Sequence, residues 1–151
     1  MKLAEFIKQD SIYVDIEVDS KKNLFKSIST IFSKNDTESG SHIIEKLNER
    51  ERLGSTGVGN GVAIPHSKVS LIKKTKVIFI KLKTAIDFAS SDKKDVDLVF
   101  VILAPKDCQS EHLLILSSIA NFIKNEKIVD KLRNMKKPSE IYKFFLSFNE
   151  D

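Results

Sequence analysis

Four of the five glycines fall between Gly54 and Gly61, in the segment Gly54-Ser55-Thr56-Gly57-Val58-Gly59-Asn60-Gly61-Val62-Ala63-Ile64-Pro65-His66-Ser67-Lys68. It ends on a histidine directly behind a proline. Pro65 fixes its own φ and biases Ile64 towards extended geometry, so the imidazole of His66 is better placed than one on a free loop. Neutral imidazole is populated near pH 7, carries an acceptor nitrogen that can attack phosphorus, and belongs to the side chains that form covalent intermediates. Backbone N–H groups bared by glycines suit phosphoryl oxygens. His66 is therefore the candidate nucleophile, and Gly54, Ser55, Thr56, Gly57, Gly59, Gly61 and Ser67 form the candidate phosphate loop. The plainer alternative is that the glycines only shape a turn and His66 is structural.

Other glycine-rich chemistries do not fit. A Walker loop needs Lys-Ser/Thr directly after its second glycine, and here Asn60 follows Gly59. A dinucleotide fingerprint follows a strand, whereas this segment follows a helical pattern. No Gly-x-Ser-x-Gly elbow is present. Cys108 and His112 stand four apart, but with His66 they lack any zinc spacing, so no metal site is expected. His42 reads as a surface residue.

The elements that must position His66 follow from periodicity. Leu3 to Ile7 reads as a helical turn. Ile12, Val14, Ile16 and Val18 alternate as a short edge strand. After a cap at Asp19 or Ser20, Leu24, Phe25, Ile28, Ile31 and Phe32 share one helical face. Ser39-Gly40-Ser41 restarts the chain into a second helix carrying Ile43, Ile44 and Leu47, which Gly54 stops. Val77 to Leu82 and Val96 to Leu103 read as strands, the second buried on both faces. Three helices follow: one from near Ser110, one carrying Ile128, Leu132 and Met135, and one capped by Ser139 with Phe144, Phe145 and Phe148 inward. Helix, helix, strands, helices in this order predict an α/β sandwich, a mixed sheet of about five strands flanked by helices.

The chain has 151 residues, the size of one domain, with 41% hydrophobic and 30% charged residues, the composition of a folding globular protein. The net charge is +4, but its lysines are spread out and interleaved with acids, and Trp is absent. That excludes the dense basic stripe and stacking aromatics of a nucleic-acid binder. No apolar run reaches the roughly 20 residues of a membrane span, and a signal sequence is not apparent, so no membrane insertion and a cytoplasmic location are expected. One cysteine excludes an internal disulfide.

From Arg50 through Arg50-Glu51-Arg52-Leu53-Gly54 to Pro65-His66, the chain closely resembles the phosphorylation-site segment of enzyme IIA domains of the fructose/mannitol class of the bacterial phosphotransferase system, including the nitrogen-regulatory members. The likeness continues in Ile86-Asp87-Phe88, in Val96 to Pro105 and in His112-Leu113. It implies that residues 1–151 are a single enzyme IIA type-2 domain acting as a phosphotransferase without a cofactor. It implies that His66 takes phosphate from phosphohistidine on the carrier HPr or a paralogue, and passes it to an enzyme IIB cysteine or uses it on a regulatory protein target. Carried over by position, Arg50 stabilises the transferred group, as a fixed charge with forked donors suits phosphate. His112 contacts that group or orients His66. Read without the resemblance, Arg50 is a helix-end charge favoured by the dipole and His112 a cap-like residue. Ser67 departs from the small residue, commonly glycine, that the family has after its histidine. Three functions are therefore weighed: sugar-uptake relay, regulatory interaction protein, and a binding module without phosphorylation.

Overall fold

The most apolar stretch of the chain, Val96–Pro105, lies inside a six-stranded mixed sheet. The structure, a computed structural model, describes residues 3–33, 37–70, 72–107 and 110–148. In chain order its elements are β1 (Ile12–Ile16), α1 (Lys21–Ser33), α2 (Thr37–Arg52), β2 (Gly57–Gly59), β3 (Val62–Ala63), β4 (His66–Val69), β5 (Lys76–Ile86), β6 (Val96–Pro105), α3 (Glu111–Ile123), α4 (Glu126–Asn134) and α5 (Pro138–Ser147). Two short 3-10 turns, Leu3–Glu5 and Gln9–Ser11, precede β1.

The sheet order is β1-β5-β6-β3-β2, with β4 also paired to β6. β5 and β6 run antiparallel, and β1 lies parallel to β5 at one edge, as the short alternating pattern predicts. Side chains of a strand alternate between faces. Leu98, Phe100 and Ile102 of β6 thus enter one core with α3, α4 and α5, and Val99, Val101 and Leu103 enter the other with α1 and α2. This double burial explains the nearly unbroken apolar run.

Aromatic rings fasten α3 and α5 to the sheet. Phe79 and Phe100 have centroids 4.8 Å apart, Phe122 and Phe145 5.5 Å, and all four are fully buried. Each such pair contributes about 0.5–1.5 kcal/mol beyond its buried area. On the opposite face Leu24, Phe25 and Ile28 of α1 meet Ile43 and Leu47 of α2. Ser20 caps α1, its Oγ accepting from Asn23 N–H at 3.1 Å.

Several boundaries differ from expectation for local reasons. α2 already runs from Thr37, so Gly40 lies inside it; a Cβ there would come 3.1 Å from Ser33 Oγ, where α1 and α2 approach closely. β5 continues beyond Leu82 to Ile86, and β6 includes Pro105. Ser139 is inside α5, because Pro138 takes the first turn, where its missing N–H costs nothing, and Lys137 is the flanking residue. Cys108 lies outside the described residues.

The glycine-rich segment is a hairpin. β2 and β3 are antiparallel, and the turn between them has positive φ at both Asn60 (56°) and Gly61 (78°), the Asn-Gly turn that matches strand twist. A Cβ on Gly61 would lie 2.6 Å from Arg133 Nη2. That guanidinium cannot simply withdraw: it donates to Asn60 O at 2.8 Å and to both carboxylate oxygens of Asp97 at 2.7 and 2.9 Å. Gly61→Ala is expected to lower stability by about 1–2 kcal/mol, the cost of a left-handed residue with a Cβ. Urea unfolding checks this, and a loss below about 0.5 kcal/mol would contradict it.

Candidate active site

His66 opens β4 rather than sitting on a loop. Along β6 the register passes from Ala63↔Val99 to His66↔Ile102 without a shift, yet residues 64 and 65 leave the ladder. Pro65 has no N–H to give, and Ile64 N–H turns back to Thr56 O of the hairpin at 2.9 Å. Only Pro65 O keeps a ladder bond, from Ile102 N–H at 3.0 Å.

The Ile64 carbonyl, on the side of the strand away from β6, lies 2.8 Å from His66 Nδ1. A carbonyl only accepts, so Nδ1 carries the proton. On the other side Arg50 Nε donates to His66 Nε2 at 3.3 Å, and a guanidinium only donates, so Nε2 presents its lone pair. Both contacts demand the same tautomer. They leave Nε2, the nitrogen with the unprotonated lone pair, facing a fixed positive charge. Arg50 is itself steadied at the end of α2, where Nη1 donates to Gly54 O at 2.8 Å.

Register decides the neighbours. His66 stands opposite Ile102, on the α3 side of the sheet, while Ser67 stands opposite Leu103, on the α2 side. Ser67 Oγ accordingly donates to Lys46 O of α2 at 3.3 Å. From the first turn of α3, His112 enters the same cavity, about 270 Å³, that Arg50 and His66 line. His112 Nδ1 is buried without a hydrogen-bond partner among the described residues. Leu53, Ile102 and Leu116 supply apolar wall, and Lys46 and Lys68 add cationic side chains. Leu53 is 85% exposed, an apolar side chain offered at the mouth.

Burial pushes the pKa of half-buried His66 below the ordinary histidine value of 6.5; the bond to the Ile64 carbonyl opposes that, while the neighbouring Arg50 guanidinium and His112 add to it and Glu51 opposes it. Near pH 7 this favours the neutral ring.

The structure thus brings together Arg50, His66, Ser67 and His112. Gly54, Ser55, Thr56, Gly57, Gly59 and Gly61 take a different place: they do not line the cavity, and several of their N–H groups are already used. Thr56 N–H goes to Glu51 Oε1 at 3.0 Å, Gly57 N–H to Ser55 Oγ at 3.0 Å. Their geometry is that of the turn-shaping alternative. His42, on α2, accepts from Ser70 N–H at 3.4 Å beyond the end of β4. The sequence reading passed over Glu51 and Lys21, an ion pair of 2.7 Å behind the hairpin. Its available signal was a glutamate in the last turn of a helix, where the dipole disfavours negative charge, and a second was the Asn60-Gly61 dipeptide.

Residues 5–148 match the family described as phosphoenolpyruvate-dependent sugar phosphotransferase system, EIIA 2. A nitrogen regulatory protein of Bradyrhizobium diazoefficiens is 34% identical over 142 residues, 94% of this chain and 93% of that protein. The crystal structure of nitrogen regulatory protein IIA-Ntr from Neisseria meningitidis superimposes with a TM-score of 0.87 at 33% identity, covering 95% of this chain and 98% of that one. Enzyme IIAMTL, in a complex with phosphorylated enzyme IIBMTL from Escherichia coli, shares the fold at a TM-score of 0.76 and 18% identity, covering 95% of this chain and all of that one, 100%. The chain belongs to the EIIA 2 family of the phosphoenolpyruvate-dependent sugar phosphotransferase system.

Proposed function

We propose that this chain carries a phosphoryl group on Nε2 of His66. The observation that supports this most is the tautomer set by two contacts: Nδ1 donates to the Ile64 carbonyl and Nε2 meets Arg50 in an open cavity. In the transfer, the Nε2 lone pair forms a new P–N bond while the bond from phosphorus to a donor imidazole breaks, and that electron pair returns to the donor nitrogen. The proton on Nδ1 stays against Ile64 O, so no general base is needed. Arg50 exchanges its contact with Nε2 for the phosphoryl oxygens, and His112, which lines the same cavity from α3, meets them there. Phosphoryl transfer rests mainly on such positioning and charge stabilisation.

The donor in this reading is phosphorylated HPr or a paralogue, and residues 1–151 act as a single enzyme IIA type-2 domain in the cytoplasm. No helix among the described residues is long and apolar enough to cross a membrane. Enzyme IIAMTL, a relative by fold, is found with phosphorylated enzyme IIBMTL, which supports an enzyme IIB cysteine as acceptor. Similarity to nitrogen regulatory proteins favours a second use of the same chemistry, in which the phosphorylation state of His66 governs binding to a regulatory target. Discharge of the phosphorylated protein onto enzyme IIB supports the relay; retention in the presence of every enzyme IIB of the same cell supports the regulatory use.

Incubation with phosphoenolpyruvate, enzyme I and HPr, read by intact mass, is expected to add one acid-labile phosphoryl group to the wild type and none to His66→Ala. Arg50→Ala should accept it about 10²-fold more slowly, the scale of losing one charge-stabilising donor. Uptake by His66→Ala equal to wild type would sink the assignment. The pH dependence has a defined sign: protonation of Nε2 removes the nucleophile, so the acceptance rate should be high above neutral pH and fall towards acid with a midpoint below the ordinary histidine value of 6.5, because the His66 pKa is depressed. Rates at matched donor occupancy test this, and a midpoint above 6.5 would contradict it.

A further inference from the structure

Glu51 is a carboxylate only 8% exposed that the transfer step does not use, and it stands beside Arg50 in the last turn of α2. Every side of it is engaged. Oε1 accepts from Thr56 N–H at 3.0 Å and also from the Thr56 hydroxyl. Oε2 meets Lys21 Nζ of α1 at 2.7 Å, and that ammonium also lies 4.5 Å from the centre of the Phe88 ring. Thr56, 3% exposed, passes the restraint on: its carbonyl accepts from Ile64 N–H at 2.9 Å, and the Ile64 carbonyl accepts from His66 Nδ1 at 2.8 Å. An unbroken run of polar contacts therefore links Lys21, Glu51, Thr56, Ile64 and the imidazole. One turn of helix holds the cation on one side of the ring and, through this run, the acceptor on the other.

A carboxylate this close to an arriving anion would repel it unless its charge were cancelled nearby. Lys21 does that from the far side, leaving Arg50 unpaired by Glu51 and free for the phosphoryl group. Resting on the reading of His66 as acceptor, we propose that Glu51 is a positioning residue for phosphoryl transfer: it fixes Thr56, and through Thr56 the Ile64 carbonyl that aims Nε2, with Lys21 cancelling its charge.

The test is the rate of phosphoryl acceptance across concentrations of HPr charged by phosphoenolpyruvate and enzyme I, for wild type, Glu51→Gln, Lys21→Met and the double variant. In Glu51→Gln the amide oxygen still receives Thr56, but the amide NH2 opposes the Lys21 ammonium; kcat is expected to fall about tenfold while KM for HPr stays within about twofold, because the exposed mouth is untouched. Lys21→Met leaves the buried carboxylate uncompensated and is expected to lower kcat about thirtyfold. In the double variant a neutral amide faces a neutral side chain, and kcat is expected to return to within about threefold of wild type, a coupling that independent damage to the fold would not produce. Wild-type kcat in both single variants, an effect on KM alone, or additive losses in the double variant would overturn the proposal. If thermal unfolding shows that Glu51→Gln does not fold, Lys21→Met and the double variant decide by the same criterion. A wild type that accepts no phosphoryl group would overturn the acceptor reading itself, and this inference with it.

Discussion

The hydrogen bond from His66 Nδ1 to the Ile64 carbonyl settles which nitrogen of the ring is free, and the surrounding structure is arranged around making that carbonyl available. Within a strand the N–H and carbonyl of one residue face the same side, so Ile64, whose N–H goes to Thr56 O of the hairpin, turns its carbonyl away from β6, while Pro65 faces β6 with a carbonyl but no donor. The strand resumes in the same register at His66, so the break redirects one peptide group without displacing the side chains that follow.

The two cores then supply what the ring needs from elsewhere in the chain. Burial of Leu47 and Ile43 against one face of the sheet sets the axis of α2, and so carries Arg50 to Nε2. Burial of Ile115, Ile119 and Phe122 against the other face sets α3, and its first turn delivers His112 to the cavity. Ser67 fits this arrangement, since its register points it to the α2 side, where its hydroxyl reaches Lys46 O instead of the ring. A serine after the histidine therefore adds a tie between β4 and α2.

Much of this was legible in the sequence where the signal is periodic. β6 announced its double burial by seven apolar residues in the eight positions from Val96 to Leu103, broken only by Asp97, and α1 and α3 by their three- and four-residue spacing. Boundaries failed where tertiary contact outweighs local preference: Gly40 looked like a restart but serves a close approach of two helices, and Ser139 looked like a cap but yields to Pro138. The glycine cluster suggested a cradle for phosphate because glycine density says only that the backbone is free, not which way its N–H groups turn; here they serve Glu51, Ser55 and Asp92. His66 stood out by its local setting. Arg50 and His112 are far from it in the chain, and no spacing rule joins them; family resemblance singled them out, and the topology of the sheet explains why they meet.

Nitrogen-resolved NMR of uniformly 15N-labelled protein tests the central claim most directly, by long-range 1H–15N correlation of the His66 ring before and after phosphorylation. The account predicts a free protein with the proton on Nδ1 and an unprotonated Nε2 at pH about 7.5, and phosphorus bonded to Nε2 after transfer. A proton on Nε2 in the free ring, or phosphorus on Nδ1, would contradict it, because the Ile64 carbonyl would then not be what aims the nucleophile.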